Sequence, residues 1–273
     1  MKHFIESSHI KYLESAGARV IPIDFNMKED EMNRLLGQIN GLYIPGDSES
    51  LVTDGNWGFT KAVRRILRWA QKHNEKESHH FPVLGVGYGA LAMLRSQMKD
   101  EAVFDRVRAS GKLQQNLVHD PKHTFLFDEF TRESLEQTLD KVKFFSDLEL
   151  GMTMEDMVLE HNVMSKLFMP VCTYDDPKRE SQNKEIVSAV EGIVYPWFGI
   201  MYRIDRIQFG QESKLRDKTD HSREAIMHAQ KIANLFIDEA RLSQNEFTFV
   251  ADERDYINLI RDNDALHFEV PLV

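Results

Sequence analysis

Hydrophobic and polar positions follow two periods along the first hundred residues. Apolar residues three and four positions apart predict helices, whereas short β-branched runs predict strands. The predicted helices are Ile5–Ala16, Lys28–Leu36 and Phe59–His73, and the predicted strands are Arg19–Ile23, Gly41–Ile44 and Phe81–Val86. This alternation predicts an α/β fold with a doubly wound, mostly parallel sheet flanked by helices. Such sheets usually open on a strand, and this chain opens on a helix, so either the first strand is absent or the chain start was assigned late.

The pattern is weaker after Met98 and becomes clear again in the last third of the chain. The predicted elements are a helix at Thr131–Leu139, a strand at Leu167–Tyr174, a hairpin of Glu185–Val190 and Tyr195–Met201, a polar loop at Asp205–Lys218, and a long amphipathic helix at His221–Leu242. The remaining residues are highly charged. We therefore predict one domain over residues 1–242 and a charged C-terminal extension over residues 243–273.

The most informative stretch is Phe81–Leu94, FPVLGVGYGALAML. An apolar run leads into the turn Gly87-Tyr88-Gly89 and then into residues of helical character. In one large class of hydrolases, such a strand–turn–helix is the nucleophile elbow, which exposes a reactive side chain above the carboxyl edge of a parallel sheet. Here the apex of the turn is Gly87, which has no side chain. The sequence thus predicts the architecture of a catalytic site without its nucleophile.

Several segments together resemble the γ-glutamyl hydrolase family, the folate polyglutamate hydrolases of the class I glutamine amidotransferase-like fold. They are Ser8–Ile23, Ile39–Gly46, Phe81–Gly89, Glu191–Gly199 and His221–Arg241, which occur in the order of the family. The resemblance implies a doubly wound α/β sandwich. It also implies an activity, the cleavage of γ-linked glutamates with a cysteine nucleophile and a histidine base.

The resemblance implies a vestigial pocket at this site, formed by Gly87, Leu91, His161, Arg203, Asp205 and Asp47. Gly87 stands in the place of the nucleophile and Arg203 in the place of the base. Leu91 replaces a carboxylate, whereas Asp205 keeps carboxylate character and His161 corresponds to a further family histidine. Neither glycine nor a permanently protonated guanidinium can support thiol hydrolysis, so we expect no catalytic residues.

Charged residues around Arg203 suggest that the former site is closed. Asp47 follows Pro45-Gly46 in the loop on the oxyanion side, where an anion opposes the developing negative charge. We predict that Arg203 pairs with Asp205 and faces Asp47, and that this salt-bridged plug fills the pocket.

No other residue offers a clear replacement for the missing groups. Cys172 is the only thiol, and its apolar surroundings predict a buried core residue. Ser48 and Ser50 follow the Pro45-Gly46 loop, where serines are common. The neighbouring His79 and His80 have no carboxylate or thiol at ligand spacing. We therefore expect no metal and no cofactor.

Composition narrows the class of partner. The chain has 273 residues and a net charge of -10, which disfavours a general affinity for nucleic acid. No stretch approaches the roughly 18 apolar residues of a membrane span. The N-terminal segment MKHFIESSHIKYLES has no apolar signal region, although members of the resembled family are usually vacuolar, lysosomal or secreted. We expect an intracellular protein without a transmembrane segment.

Three functions fit these features. The first is an inactive pseudoenzyme that serves as a structural or interaction subunit of a protein assembly; cytoplasmic, cytoskeletal, ciliary and mitochondrial complexes all remain open. The second is a γ-glutamyl peptide hydrolase with a non-standard nucleophile. The third is a protein that binds a γ-glutamyl or folate ligand without cutting it, for which Arg203 could supply a basic contact. An open, plugged or occupied pocket distinguishes the three.

Overall fold

A six-stranded mixed sheet lies at the centre of the computed structural model. The structure describes residues 3–46, 57–98, 104–107, 111–158, 164–175, 185–210, 219–249, 253 and 267–270. The strands are β1 His3–Glu6, β2 Leu42–Ile44, β3 Val83–Val86, β4 Asp105–Arg106, β5 Gly111–Leu113, β6 Asn116–Leu117, β7 Phe144–Ser146, β8 Leu150–Gly151, β9 Phe168–Asp175, β10 Glu185–Gly192, β11 Trp197–Ile200 and β12 His267–Val270. The α-helices are α1 Ser7–Glu14, α2 Glu29–Leu36, α3 Trp57–Asn74, α4 Tyr88–Gln97, α5 Arg132–Lys141, α6 Met154–Val158, α7 Met164–Leu167, α8 Ile204–Phe209 and α9 Arg223–Arg241.

The strand order in the central sheet is β2-β3-β11-β10-β9-β6. Strand β3 pairs in parallel with β2 and β11, whereas β10 pairs antiparallel with β11 and β9, and β6 pairs antiparallel with β9. The predicted hairpin of β10 and β11 is present. The parallel half carries the elbow, because the C-terminal end of β3 leads directly into α4.

Hydrophobic cores cover both faces of the sheet. Along β3, Val83 points into one core and Leu84 into the other, as the two-residue period of a strand requires. Helices α2, α3 and α4 contribute to the first core, and helices α1, α5, α8 and α9 to the second. This arrangement confirms the predicted doubly wound α/β architecture.

The N-terminal part differs from its prediction in two places. A strand, β1, precedes the first helix, but it pairs antiparallel with β12 outside the central sheet. The predicted strand Arg19–Ile23 is wrong, because residues 18–24 are irregular. A short β-branched run forms a strand only when a neighbour accepts its backbone hydrogen bonds, and Pro22 also removes one donor. In the described part of the chain, β2 is the edge of the sheet at this end.

The predicted polar loop Asp205–Lys218 is also wrong at its start, which forms α8, Ile204–Phe209. Ile204 and Ile207 are buried three positions apart on this helix, so a helical period was present but short. Residues 211–218 lie outside the described part.

The C-terminal extension contacts the domain before it. Asn245 donates hydrogen bonds to the carbonyl oxygens of Leu36 and Ile39, and β12 pairs with β1 with Glu6 opposite His267. The predicted boundary at residue 242 stays a prediction. None of the described helices is long and apolar enough to cross a membrane.

Candidate functional site

Gly87 joins β3 to α4 in a conformation that ordinary residues rarely adopt. Its φ is 60° and its ψ is -129°, which is the sharp, strained turn that a nucleophile elbow requires. The Gly87 amide donates to the carbonyl oxygen of Ile200 on β11 at 2.8 Å, so the turn is anchored to the neighbouring strand. The elbow is therefore present as backbone, with a hydrogen atom where a reactive side chain would begin.

The loop after β2 packs directly on this elbow. The Tyr88 amide donates to the Gly46 carbonyl oxygen at 3.1 Å. A Cβ atom built at Gly87 lies 2.7 Å from that same oxygen, and one built at Gly46 lies 2.0 Å from the Gly89 nitrogen. Real Cβ atoms do not approach so closely, so these contacts require glycine at both positions.

The Arg203 side chain also lies next to the elbow. Its Cδ atom is 3.6 Å from the Cβ position built at Gly87, and its side chain is fully buried. The residue caps the N-terminus of α8, and its amide donates to the Phe145 carbonyl oxygen at 2.8 Å. The structure thus brings together the two positions at which the sequence had placed the lost nucleophile and the lost base.

The predicted ion pair between Arg203 and Asp205 is present and bidentate. Arg203 Nε donates to Asp205 Oδ1 at 3.0 Å, and Nη2 donates to Oδ2 at 2.9 Å. Ser8 Oγ donates to Oδ2 at 2.7 Å, and His9 Nδ1 lies 3.5 Å from it. Burial acts to raise the pKa of the Asp205 carboxyl, but Arg203, His9 and the hydrogen bonds outweigh it and hold that pKa well below its usual range.

Two further carboxylates surround the guanidinium. Arg203 Nη1 donates to Asp147 Oδ2 at 3.1 Å, and Nη2 also donates to Glu6 Oε2 at 3.1 Å. Arg206 donates to both oxygens of Glu6, at 2.6 and 2.7 Å. We call the five charged residues Glu6, Asp147, Arg203, Asp205 and Arg206 the arginine cluster. Its three carboxylates outnumber its two guanidinium groups, so the cluster carries a net negative formal charge when His9 is neutral.

One set of side chains in this region has the spacing of a metal site. Ligand atoms of Glu6, His9 and Asp205 lie within 4.8 Å of one another. However, Arg203 or Arg206 already donates to the carboxylate oxygens of both Glu6 and Asp205, and a divalent cation there would be repelled by both guanidinium groups. These residues do not fit a metal ion, and the expectation of no metal stays a prediction.

The other predicted pocket residues differ in where they lie. Leu91 is in the first turn of α4, where its amide donates to the Gly87 carbonyl oxygen at 3.4 Å, and its side chain is entirely buried in the hydrophobic core. Asp47 and His161 lie outside the described residues, as do Ser48 and Ser50, so the predicted contact between Arg203 and Asp47 stays a prediction. Cys172 lies on β9 and is buried, as predicted, and burial raises the pKa of its thiol far above the usual range.

Sequence reasoning missed five residues of this site: Glu6, Ser8, His9, Asp147 and Arg206. Their contacts with Arg203 and Asp205 span up to 197 residues of sequence. Only the near-continuous charge of Arg203, Asp205 and Arg206 offered a local signal. Charged residues at such spacing usually belong to a solvated surface, so the fold itself had to show that they are buried.

The chain is similar in sequence to gamma-glutamyl hydrolases of several organisms. No family model matches the chain. It is 26% identical over 253 residues to the gamma-glutamyl hydrolase of Mus musculus, covering 92% of this chain and 75% of that protein. It is 26% identical over 254 residues to the Homo sapiens gamma-glutamyl hydrolase, covering 92% and 76%, and 23% identical to the gamma-glutamyl hydrolase B of Dictyostelium discoideum, covering 90% and 68%.

Among solved structures, the fold is similar to that of a Thermoplasma acidophilum protein assigned provisionally to GMP synthase. The TM-score is 0.51 at 11% sequence identity, over 86% of this chain and 90% of the other. At this identity the likeness concerns the fold alone, and it agrees with the glutamine amidotransferase-like architecture expected from the sequence.

Proposed function

We propose that this chain is a non-catalytic member of the gamma-glutamyl hydrolase family, to whose members it is 23–28% identical, and that it acts as a structural or interaction subunit of a protein assembly. The observation that carries the proposal is the elbow. Gly87 keeps the strained backbone of a nucleophile turn, while Arg203 lies against it in place of a base. Nucleophile and base act through one another, so the loss of both leaves little more than background activity.

Ser8 is the described hydroxyl that could replace the nucleophile, since its Oγ lies 2.7 Å from Asp205. A general base must accept a proton near neutral pH. The pKa of the Asp205 carboxyl is held well below its usual range by Arg203, so it is a weak base. Ser8 is also buried. These properties argue against a hydrolase with a substituted nucleophile.

A ligand-binding role without cleavage would require a free cationic group for the glutamate carboxylates. Arg203 was the candidate for this contact. Each nitrogen of its guanidinium donates to a carboxylate of Glu6, Asp147 or Asp205, and its side chain has no exposed surface. The paired guanidinium favours a structural role for Arg203 over ligand recognition.

The enzymatic half of the proposal is tested by incubating the purified chain with a γ-linked glutamyl peptide and measuring released glutamate. We expect no release above a blank, and none from the Ser8→Ala and Cys172→Ala variants. An authentic gamma-glutamyl hydrolase provides the positive control. Turnover by the natural chain that disappears in Ser8→Ala would overturn the proposal and identify the nucleophile.

The assembly half is tested with the endogenous protein. In native extracts we expect it to migrate at a mass several times that of the 31.8 kDa chain, together with other polypeptides in fixed stoichiometry. Imaging of a tagged chain would then distinguish a cytoplasmic, cytoskeletal, ciliary or mitochondrial assembly from the secretory pathway. A chain that migrates alone in every extract would contradict a role within an assembly.

A further inference from the structure

The geometry points to an internal lock on the former active site: the Gly46 carbonyl occupies the oxyanion position of the elbow and closes it to any acyl substrate. This inference rests on the proposed non-catalytic function and deepens it. It assigns a role to the Pro45-Gly46 loop, and it explains why glycine stands at position 87 rather than some other unreactive residue.

The oxyanion position is defined by the backbone of the elbow. In hydrolases with this turn, the amide of the residue after the nucleophile donates to the oxyanion that develops on the substrate. Tyr88 is that residue here, and its amide donates to the Gly46 carbonyl oxygen at 3.1 Å. A partially negative oxygen of the chain itself therefore lies where the oxyanion of a substrate would form, and it takes up the hydrogen bond that would stabilise it.

The loop reaches this position only because the backbones approach without side chains between them. A Cβ at Gly87 would lie 2.7 Å from the Gly46 oxygen, and a Cβ at Gly89 would lie 2.0 Å from the Ile44 oxygen. Since every nucleophilic side chain begins with a Cβ, a nucleophile at position 87 and the closed loop exclude one another. Loss of the nucleophile and closure of the oxyanion position are thus one structural change.

Tyr88 is also held at its other end. Its hydroxyl accepts a hydrogen bond from the Glu149 amide at 3.0 Å, and its side chain is buried. Glu149 follows the turn that carries Asp147, which pairs with Arg203. Tyr88 therefore contacts the Gly46 carbonyl through its amide and the segment beside the arginine cluster through its hydroxyl.

The first test detects the Tyr88–Gly46 hydrogen bond directly. Scalar coupling across a hydrogen bond between the Tyr88 amide nitrogen and the Gly46 carbonyl carbon is measured by NMR on the deuterated natural chain. We expect a cross-peak for this pair, with the Gly87–Ile200 bond at 2.8 Å as the internal control. Detection of the control without the Tyr88–Gly46 peak would overturn the lock.

The second test measures what glycine contributes at position 87, by urea unfolding. Gly111 is a matched control, because its φ is also positive, at 149°, but no atom lies within 4 Å of its built Cβ. Gly111→Ala carries backbone strain alone, for which we expect about a 10-fold rise in the unfolding equilibrium constant. Gly87→Ala carries strain and the collision with Gly46, for which we expect a rise of at least about 100-fold, or failure to fold. Equal effects in the two variants would refute the lock.

Restoring both catalytic groups gives a third readout. The Gly87→Cys, Arg203→His variant is expected to release no glutamate from a γ-linked peptide, because the Gly46 carbonyl keeps the hydrogen bond of the Tyr88 amide and the collision with the cysteine Cβ distorts the elbow. Cleavage by this variant would mean that the loop opens readily, and would contradict the lock. The NMR and unfolding tests involve no substrate, so the lock can fail while the natural chain stays inactive, and hydrolysis by the natural chain can disprove the proposed function separately.

Discussion

Replacing Arg203 with methionine tests whether the arginine cluster stabilises the fold. Methionine keeps the length and much of the apolar contact of the arginine stem while removing its charge. Asp205 is fully buried and receives two hydrogen bonds from Arg203. In Arg203→Met, the hydrogen bond from Ser8 at 2.7 Å remains, but the carboxylate loses its principal counter-charge.

The expected cost at pH 7 is large. Breaking one partner of a buried ion pair typically destabilises a protein by about 3–5 kcal/mol, because the other charge is left without compensation. A matched double variant, Arg203→Met with Asp205→Asn, leaves no buried charge at position 205 and should recover much of this loss. The resulting coupling energy between the two sites should be about 2–3 kcal/mol.

The pH dependence gives this prediction a distinctive sign. In the natural chain the pKa of Asp205 is depressed, so its contribution to stability is present above the ordinary pKa of about 3.9 and is lost in more acidic solution. Without Arg203, burial dominates and raises that pKa above the unfolded value. The Arg203→Met deficit should therefore shrink as the pH falls from 7 towards 5, by up to about 1.4 kcal/mol per pH unit.

Urea unfolding of the natural chain and both variants at pH 5, 6 and 7 measures these quantities. Titrations of groups away from the arginine cluster are shared by the three proteins and cancel in the differences. Glu6, Asp147 and His9 contact Arg203 and titrate differently without it, so the Asp205 contribution is taken from the difference between the two variants, both of which lack Arg203. A deficit below about 1 kcal/mol for Arg203→Met, with no change between pH 7 and 5, would show that Asp205 does not depend on Arg203 and would refute the reasoning.

Two further predictions concern buried groups away from the cluster. His228 is fully buried among aromatic rings, with its Nε2 atom 2.9 Å from the Tyr202 hydroxyl. Burial is the main cause that lowers its pKa to about 3, and the nearby charge of Lys231 lowers it further. As the pH falls below the ordinary histidine pKa of about 6.5, the folded chain should therefore lose up to about 1.4 kcal/mol of stability per pH unit. Urea unfolding between pH 7 and 5 should show a smaller loss in His228→Phe, Tyr202→Phe than in Tyr202→Phe alone, and equal slopes would contradict the assignment. Cys172 is buried with its pKa raised, so iodoacetamide should modify it only in urea, at a rate that follows unfolding; rapid modification of the native chain would contradict its core placement.

The sequence pattern predicted elements that carry their own local signal. The run Phe81–Val86 predicted the strand before the elbow, and the residues after Gly89 predicted the helix that follows it. Strand and helix patterns can be told apart within a few positions. The prediction at Arg19–Ile23 failed because strand formation depends on a neighbour that the pattern cannot reveal. The start of the predicted loop Asp205–Lys218 forms α8 instead, because Ile204 and Ile207 give only a short helical period and Asp205 and Arg206 are buried beside them.

In the site, too, the sequence predicted only the residues that carry a local signal. Motif comparison identified Gly87 and Arg203, because each departs from a family residue at a known place. It could not identify Glu6 or Asp147, which act only through three-dimensional proximity to Arg203. These partners determine the role that Arg203 is given. A guanidinium without carboxylate partners would be available to a ligand, whereas one that pairs with Glu6 and Asp147 stabilises the fold.

Under the proposed non-catalytic function, the arginine cluster would also make activity difficult to restore. Arg203 connects β1 through Glu6, the segment after β7 through Asp147, and α8 through Asp205. A histidine at position 203 is too short to make all of these contacts and is mostly neutral at pH 7, which leaves the buried Asp205 uncompensated. Restoring the base thus weakens the fold, while restoring a nucleophile at Gly87 collides with Gly46. Under the proposed non-catalytic function, positions 87 and 203 stabilise separate contacts, so hydrolase activity would require the surrounding loop and cluster to change as well.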